Sequence, residues 1–239
     1  MNFHNRTVIL TGASKGIGRA TAIRLAQEGA DIAIIDIKEE MLAETARLCA
    51  AYGHRVDTYT CDVSDEARVH EVVATVAERF GHIDVLINNA GLYDTWEPFL
   101  GSKSSDWKRK IDVNILGTMY FAQAVLPYMI ENKYGRIVNI SSVVGVYGGG
   151  NMVDYSMTKG AVIAFTRALA KEVTPLGITV NAVAPGSIIV KESNFTQHSF
   201  TGRGGEPEEC ASVIVFLASD EASYVSGQNY QVDGCRRLM

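Results

Sequence analysis

Short runs of β-branched and other apolar residues alternate along the chain with segments in which apolar residues recur every three or four positions. The first pair is the run RTVILTG and a helical pattern from Gly16 to Gly29. Such alternation predicts strands and helices in turn. The further predicted strands are DIAIID, RVDTYT, IDVLINN, GRIVNIS, ITVNAV and one near NYQV, and the further predicted helices span about 41–51, 66–79, 107–129, 155–173 and the segment EECASVIVFLAS.

These elements predict an α/β fold. Segments such as VLIN and IVNI are apolar without regular alternation, which is typical of a parallel sheet covered by helices on both faces. About seven strand–helix units therefore indicate a doubly wound, Rossmann-type sheet of about seven strands, with a ligand crevice at the carboxyl ends of the strands. No linker divides residues 1–239, so we expect a single domain, in which the long irregular stretch of about 187–206 forms a substrate lid.

Composition excludes several classes of partner. The chain has 22 Lys+Arg against 27 Asp+Glu, a formal net charge of -5 and no basic block, so neither nucleic acid nor a membrane is expected to bind it. No apolar stretch approaches the ~18 residues of a membrane span, and no signal-peptide pattern begins the chain. The cysteines and histidines lack metal-ligand spacing, so we expect a cytoplasmic protein with reduced thiols and no metal.

A glycine-rich turn, TGASKGIG, joins the first strand to the first helix. Its glycines, Gly12, Gly16 and Gly18, allow the backbone to approach a pyrophosphate, which the N–H groups and the dipole of the helix N-terminus then hold. The spacing is G-xxx-G-x-G and not the G-x-G-x-x-G of the general dinucleotide fingerprint. The turn predicts a bound dinucleotide.

Asp36 ends the second strand, close to the ~20 residues after the turn at which an acidic side chain binds the ribose 2′-hydroxyl of a dinucleotide. Its carboxylate repels a 2′-phosphate and favours NAD over NADP. Lys15 and Lys38 oppose this preference, because a cation beside the turn attracts that phosphate.

Tyr155 and Lys159 lie one helical turn apart and share a face of their predicted helix. A free phenol has a pKa of about 10, which is high for an acid/base group that works near neutrality. One ammonium at ~4 Å contributes on the order of 4 kcal/mol at an effective dielectric constant of ~20. We therefore expect Lys159 to lower the pKa of Tyr155. Ser142 follows the strand GRIVNIS and can polarise a substrate oxygen in the same crevice, and the absence of a GxSxG elbow disfavours a hydrolase.

With these motifs the chain resembles the classical short-chain dehydrogenase/reductase family over nearly its whole length. TGASKGIG is similar to the family's TGxxxGxG turn, Asn88-Asn89-Ala90-Gly91 to its NNAG segment and Tyr155/Lys159 to its YxxxK pair. The resemblance also implies that Asp62-Val63 meet the adenine and that Pro185-Gly186 form the turn beside the nicotinamide. The implied cofactor-binding residues are Gly12, Ser14, Lys15, Gly16, Ile17, Gly18, Asp36, Asp62, Val63, Asn89, Ala90, Gly91, Tyr155, Lys159, Pro185, Gly186 and Ile188.

The resemblance also implies an activity, namely reversible hydride transfer between NAD(H) and a secondary alcohol or ketone. Tyr155 is then the acid/base and Ser142 holds the carbonyl oxygen. Lys159 lowers the tyrosine pKa and binds the nicotinamide ribose, and Asn114 completes a proton relay. The family usually forms homo-oligomers, so a homotetramer or homodimer built on helices 107–129 and 155–173 is expected.

The chain departs from the family pattern at Val190, where many members have a threonine that contacts the carboxamide, and at Cys235, where a glycine is common. The lid also looks short. By family position, mostly apolar residues flank the crevice and favour a hydrophobic or cyclic carbonyl substrate over a sugar. They are Tyr93, Val144, Tyr147, Met152, Val153, Ile188 and Phe195.

Two alternatives to an alcohol dehydrogenase or ketone reductase stay open. A 3-oxoacyl-(acyl-carrier-protein) reductase needs a basic patch for its carrier and more often uses NADPH, and Asp36 counts against it. A nucleotide-binding sensor without turnover is the other alternative, and the set of Asn114, Ser142, Tyr155 and Lys159 argues against it.

Overall fold

A computed structural model of the chain describes residues 1–189 and 199–237. Seven strands form one sheet in the order β3-β2-β1-β4-β5-β6-β7, and every neighbouring pair is parallel. The strands are β1 (Thr7–Thr11), β2 (Asp31–Asp36), β3 (Val56–Thr60), β4 (Val85–Asn88), β5 (Gly135–Ile140), β6 (Ile178–Pro185) and β7 (Asn229–Val232). The predicted α/β fold with a seven-stranded parallel sheet is confirmed.

Helices connect the strands and cover both faces of the sheet. They are α1 (Gly16–Gln27), α2 (Glu39–Ala50), α3 (Glu66–Phe80), α4 (Ser104–Ile111), α5 (Gly117–Asn132), α6 (Val143–Tyr147), α7 (Val153–Val173) and α8 (Pro207–Ala218). The order of the strands reverses between β1 and β4, so the loops that leave these two strands separate there. A crevice at the carboxyl ends of the strands opens at such a switch point.

Alternating side chains of the strands build two core clusters, one on each face of the sheet. Leu10 and Ile34 pack with Ile214 of α8 on one face. The neighbouring residues Ile9 and Ile35 belong to the other cluster, which includes Phe121 of α5. Because both faces of the inner strands are buried, these strands are mostly apolar, which explains the runs seen in the sequence, whereas the edge strands β3 and β7 have several polar residues.

The predicted helix of 107–129 is in fact α4 and α5 joined by a π-helical turn at Asp112–Leu116. Together they run without a break from Ser104 to Asn132, and by length and composition alone this helix could cross a membrane. Half of its apolar part is buried inside the protein, and Phe121 and Met129 are completely buried in the core. The segment therefore serves here as a core helix.

Helix α6 was not predicted, and it packs directly on α7. At Gly145 the two backbones approach so closely that an added Cβ would lie 2.6 Å from the carbonyl carbon of Lys159 and 2.8 Å from the nitrogen of Gly160. Glycine at this position thus allows the short helix after β5 to contact the middle of α7.

We expect Gly145→Ala to lower the free energy of unfolding by about 1–3 kcal/mol, because the new methyl group collides with backbone that cannot rotate away. Urea denaturation of the purified protein measures the change. The matched control is Gly150→Ala, where no atom lies within 4 Å of the added Cβ and the change should stay within about 0.5 kcal/mol. Equal effects of the two substitutions would contradict this packing argument.

Candidate active site

A cavity of about 220 Å³ opens at the carboxyl edge of the sheet, where the loops after β1, β4, β5 and β6 meet α7. It joins residues that are far apart in the sequence, and all of them except Ile140 and Ser141 were predicted there to bind a nucleotide or to take part in catalysis. The lining residues are Ile17, Asn89, Gly91, Ile140, Ser141, Ser142, Tyr155, Lys159, Pro185 and Gly186.

The glycine-rich turn leaves the N-terminus of α1 ready for an anion. Gly12 and Gly16 have φ values of +66° and +54°, which other residues rarely adopt. A Cβ on Gly18 would collide with the carbonyl oxygen of Gly12, so glycine also allows α1 to pack on the turn. The helix has no side-chain cap at Lys15 and no acidic residue in its first turn. Its N–H groups therefore fit the pyrophosphate of a dinucleotide.

The segment after β4 is hydrogen-bonded to the glycine-rich turn. The amide of Asn89 donates to the carbonyl oxygens of Thr11 (3.0 Å) and Gly12 (2.9 Å), and the Thr11 hydroxyl accepts from the backbone nitrogens of Asn89 and Ala90. Asn88 faces the sheet interior, where its amide donates to Asn139 of β5 at 2.9 Å. Thr11, which sequence reasoning did not single out, is thus the link between the two loops.

Asp36 lies beside the turn, as its spacing predicted. Its carboxylate accepts from the backbone nitrogens of Ser14 and Lys38, both at 3.1 Å. The nearby Arg19 donates to the carbonyl oxygen of Ser14 at 2.6 Å and to Thr45 at 3.0 Å, so its guanidinium is engaged in the protein. Lys15 and Lys38 are exposed.

Asp62 and Val63 follow β3 at the adjoining end of the crevice. Asp62 accepts from Ser64 and from Arg109 of α4, the latter at 2.8 Å. Burial works against the carboxylate, but these hydrogen bonds outweigh it and lower the pKa of Asp62. Val63 is buried against Gly117, where an added Cβ would lie 2.7 Å from the valine side chain. The contact of Arg109 with Asp62, the residue expected to meet the adenine, was not predicted from the sequence.

The Tyr155 side chain lies in the cavity beside Ser142. Burial raises the pKa of its hydroxyl to about 12, and a hydrogen bond with the Ser142 side chain acts in the opposite direction. The ring also packs against Tyr93, with ring centroids 4.9 Å apart. Ser142 itself caps α6 by accepting from the backbone nitrogen of Val144.

Lys159 lies on the same side of α7 as Tyr155, but it does not lower the tyrosine pKa as the sequence led us to expect. Its Nζ donates to the carbonyl oxygen of Ile140 at 2.8 Å and lies 5.7 Å from the centroid of the Tyr155 ring. Burial lowers the pKa of Lys159 to about 8. The expected lowering was wrong for two reasons: the phenol is itself buried, and the amino group is directed to the end of β5.

Asn114 lies in the π-helical turn, completely buried. Its side-chain oxygen accepts from the backbone nitrogen of Leu92 at 2.6 Å, and its amide donates to the carbonyl oxygen of Leu92 and to Thr158 of α7. Single π turns often occur at functional sites. The structure thus shows Asn114 fastening the loop after β4 to α7, and its part in a proton relay stays a prediction.

The loop after β6 is described only at its two ends. Gly186 approaches Asp233 closely, whereas the side chain of Ile188 is buried in the core beside Cys210 and Ile214 and does not line the cavity. Its contact with the cofactor stays a prediction. Val190 and Phe195 lie outside the described residues.

The far end of that loop pairs with the C-terminal segment. Ser199 forms an antiparallel bridge with Arg236, and the backbone nitrogen of Phe200 donates to the carbonyl oxygen of Cys235 at 2.9 Å. Cys235 has a φ of +58°, a left-handed conformation that favours glycine. This explains why a glycine is common there.

Other predicted crevice residues form an apolar rim. Tyr93, Tyr147 and Val153 are each about half exposed, while Val144 is buried. Within residues 1–189 and 199–237 no group of three or more His, Cys, Asp or Glu side chains could hold a metal ion.

Comparison with known proteins agrees with the family resemblance found in the sequence. The family model described as enoyl-(acyl carrier protein) reductase matches residues 12–235. The 3-oxoacyl-(acyl-carrier-protein) reductase FabG of Thermotoga maritima is 42% identical over 98% of each chain.

Solved structures agree with the fold. The crystal structure of levodione reductase superposes with a TM-score of 0.94 at 35% identity, covering 98% of each chain. The crystal structure of NAD+-bound xylitol dehydrogenase gives a TM-score of 0.93 at 34% identity and covers 98% of this chain and 100% of the other.

The lowered pKa of Lys159 predicts a pH-dependent stability. Above pH 8 the folded state loses this proton first, while the unfolded state keeps it up to about pH 10.5, so the unfolded state binds more protons and stability rises with pH. Relative to Lys159→Met, the free energy of unfolding of the parent should rise by about 2 kcal/mol between pH 7 and pH 9.5. Urea denaturation of both proteins across this range tests it, and a constant difference would show that Lys159 titrates normally.

Proposed function

Because the chain belongs to the classical short-chain dehydrogenase/reductase family, whose members are NAD(P)-dependent oxidoreductases acting on CH–OH and carbonyl groups, we propose that it transfers a hydride between NAD(H) and a hydrophobic or cyclic secondary alcohol or ketone. The observation that carries the proposal is the single cavity that joins Ser142, Tyr155 and Lys159 to the first turn of α1.

The two hydroxyls of the site bind and protonate the carbonyl oxygen. Ser142 donates a hydrogen bond to that oxygen, and Tyr155 delivers the proton. Because its pKa is raised, Tyr155 is protonated at neutral pH and is ready to act as the acid in carbonyl reduction. The nicotinamide, when bound, supplies the hydride.

Lys159 and Asn114 support this proton transfer. The Nζ of Lys159 is held by Ile140 next to Gly91, where it can bind the ribose hydroxyls of the nucleotide. A pKa of about 8 also allows Lys159 to give up and regain a proton near neutrality, as a relay to solvent requires. Asn114 holds the loop after β4 against α7 through its hydrogen bonds with Leu92 and Thr158.

The choice of NAD over NADP rests on Asp36. Its carboxylate is held at the glycine-rich turn by two backbone nitrogens, in the place where a 2′-phosphate would have to lie. Arg19, the nearest arginine to the turn, is occupied by Ser14 and Thr45. The NAD+-bound xylitol dehydrogenase also supports this preference.

The apolar rim supports the substrate class. The exposed parts of Tyr93, Tyr147 and Val153 offer ring and methyl surfaces, which cannot satisfy the hydroxyl groups of a sugar. Levodione reductase, a structural relative, is named for a reaction on a small ketone-bearing compound.

The 3-oxoacyl-(acyl-carrier-protein) reductase of Thermotoga maritima favours a second candidate, the same activity in this chain. A carrier protein is acidic and requires a basic docking surface, which a chain with a net charge of -5 and no basic block is poorly suited to provide. We therefore place it second.

The proposal also includes the oligomeric state and the cellular location of the protein. Met119 and Ile130 of α5 and Val153 and Met157 of α7 are exposed apolar residues, which suits a homotetramer or homodimer built on these two helices. We also propose that the protein is cytoplasmic, in agreement with its unpaired cysteines.

The proposal is tested by an absorbance screen of carbonyl compounds with NADH and NADPH side by side. We expect hydrophobic and cyclic ketones to be reduced faster than ketoses, and NADH to be the better donor. Tyr155→Phe should abolish turnover, because the proton donor is lost, while NADH binding measured by fluorescence stays nearly unchanged. Equal or faster reduction of ketoses would overturn the substrate class, and unchanged turnover in Tyr155→Phe would overturn the mechanism.

Asp36→Asn should change the nucleotide preference. The amide removes the charge that repels a 2′-phosphate but keeps an oxygen that can accept from Ser14 or Lys38. We expect the ratio of kcat/KM for NADPH to that for NADH to rise about tenfold, which corresponds to about 1.4 kcal/mol. Steady-state kinetics with both nucleotides measures it. A ratio equal to that of the parent would mean that Asp36 does not select the nucleotide.

A further inference from the structure

A completely buried lysine lies beside the catalytic residues and takes no part in the chemistry proposed above. Lys110 is at the end of α4 with no exposed surface. Its Nζ donates to the carboxylates of Asp154 at 2.7 Å and Asp94 at 3.2 Å, and to the hydroxyl of Thr95. Asp154 is itself buried and directly precedes Tyr155. We call Lys110, Asp94, Thr95 and Asp154 the Lys110 clamp.

Lys110 carries its charge in this position. Burial works against the ammonium, but its hydrogen bonds and its attraction to Asp154 and Asp94 outweigh burial and raise the pKa of Lys110 above its ordinary value. A buried ion pair of this kind gives little net stability, because the charges must first leave water. Its presence is better explained by the geometry that it fixes.

That geometry involves both walls of the site. Asp94 and Thr95 belong to the loop after β4, and Asp154 belongs to the first turn of α7. Lys110 therefore holds the loop against the helix. The same loop carries Tyr93, whose ring packs on the ring of Tyr155.

A second contact with α7 lies one helical turn after the contact between Lys110 and Asp154. Asn114 lies four residues after Lys110 and donates to Thr158, which lies four residues after Asp154. Each contacted residue on α7 directly precedes a catalytic one, Asp154 before Tyr155 and Thr158 before Lys159.

We propose that Lys110 is a positioning residue, which holds the loop after β4 against the start of α7 and so fixes the Tyr155 hydroxyl beside Ser142. This inference rests on the role proposed above for Tyr155. Asp154 also accepts from the backbone nitrogen of Tyr155 at 2.7 Å, so a displacement of Asp154 is passed directly to the tyrosine. Besides burial, two groups shift the pKa of Tyr155: Ser142 lowers it and Tyr93 raises it.

The test compares Lys110→Met, the double variant Lys110→Met/Asp154→Leu and the control Lys108→Met, an exposed lysine on the same helix. We expect Lys110→Met to lower kcat for ketone reduction by about tenfold to a hundredfold, because small displacements at a reacting centre are costly. The KM for NADH should change less than about twofold, since Lys110 bonds to Asp94, Thr95 and Asp154 and not to the glycine-rich turn or Asp36. Lys108→Met should behave as the parent.

The pH profile separates positioning from stability. A displaced Tyr155 loses part of its burial, which is the largest cause of its raised pKa and outweighs the opposing contact with Ser142, so the alkaline limb of kcat should move to lower pH. The double variant removes both buried charges and leaves no unpaired carboxylate at position 154, so it can regain stability. We expect it to keep the low kcat and the shifted limb. If it regains the kcat and pH profile of the parent, or if Lys110→Met never lost them, the inference is overturned.

A second measurement needs no substrate. The tyrosinate absorbance of each protein, minus that of the same protein carrying Tyr155→Phe, reports the ionisation of Tyr155 alone. We expect this titration to move to lower pH in the double variant, because Tyr155 becomes less buried, and an unmoved titration would overturn the inference. If the parent reduces no ketone, the proposed function fails, while this titration still decides whether Lys110 positions Tyr155.

Discussion

The arrangement of the site depends on the hydrogen bond between the amino group of Lys159 and the carbonyl oxygen of Ile140. A buried amine needs a partner, and the end of β5 provides it. This bond ties the middle of α7 to the end of a central strand. Ser142 follows only two residues after Ile140, so the same strand end brings the serine to the tyrosine on α7. The close approach at Gly145 then holds α6 against the same part of the helix. This polar contact, together with the bond from Asn139 of β5 to Thr166 of α7, thus helps to determine where Ser142, Tyr155 and Lys159 meet.

The fold follows from the sequence almost completely, because each buried strand and each amphipathic helix is a local pattern. The helix expected at 155–173 begins only two residues earlier in the structure, at Val153. Two details were not available from such patterns. The five-residue helix α6 is too short to show a period, and the π-helical turn of Asp112–Leu116 adds one residue to a helix without interrupting its apolar residues. Both lie next to the cavity, where the backbone departs from regular geometry to aim particular groups.

The structure brings many of the residues predicted from the sequence to one cavity, but the sequence did not predict their electrostatics. The spacing of Tyr155 and Lys159 places them on one face of a helix, as expected, yet it contains no information about Ile140, to which the amino group turns. The sign of the tyrosine pKa shift was therefore wrong. The partners of Lys110 lie 15 or more residues away from it along the chain, so no local motif indicates them. Long-range polar contacts inside the protein are the part that only three-dimensional structure supplies.

The pairing of Ser199 and Phe200 with the last residues of the chain has a practical consequence. The described end of the segment after β6 is held by this pairing, which includes Cys235 in a backbone conformation that costs energy for any residue with a side chain. A substitution that displaces Cys235 would therefore also displace Ser199 and Phe200, although these residues lie far from it along the chain.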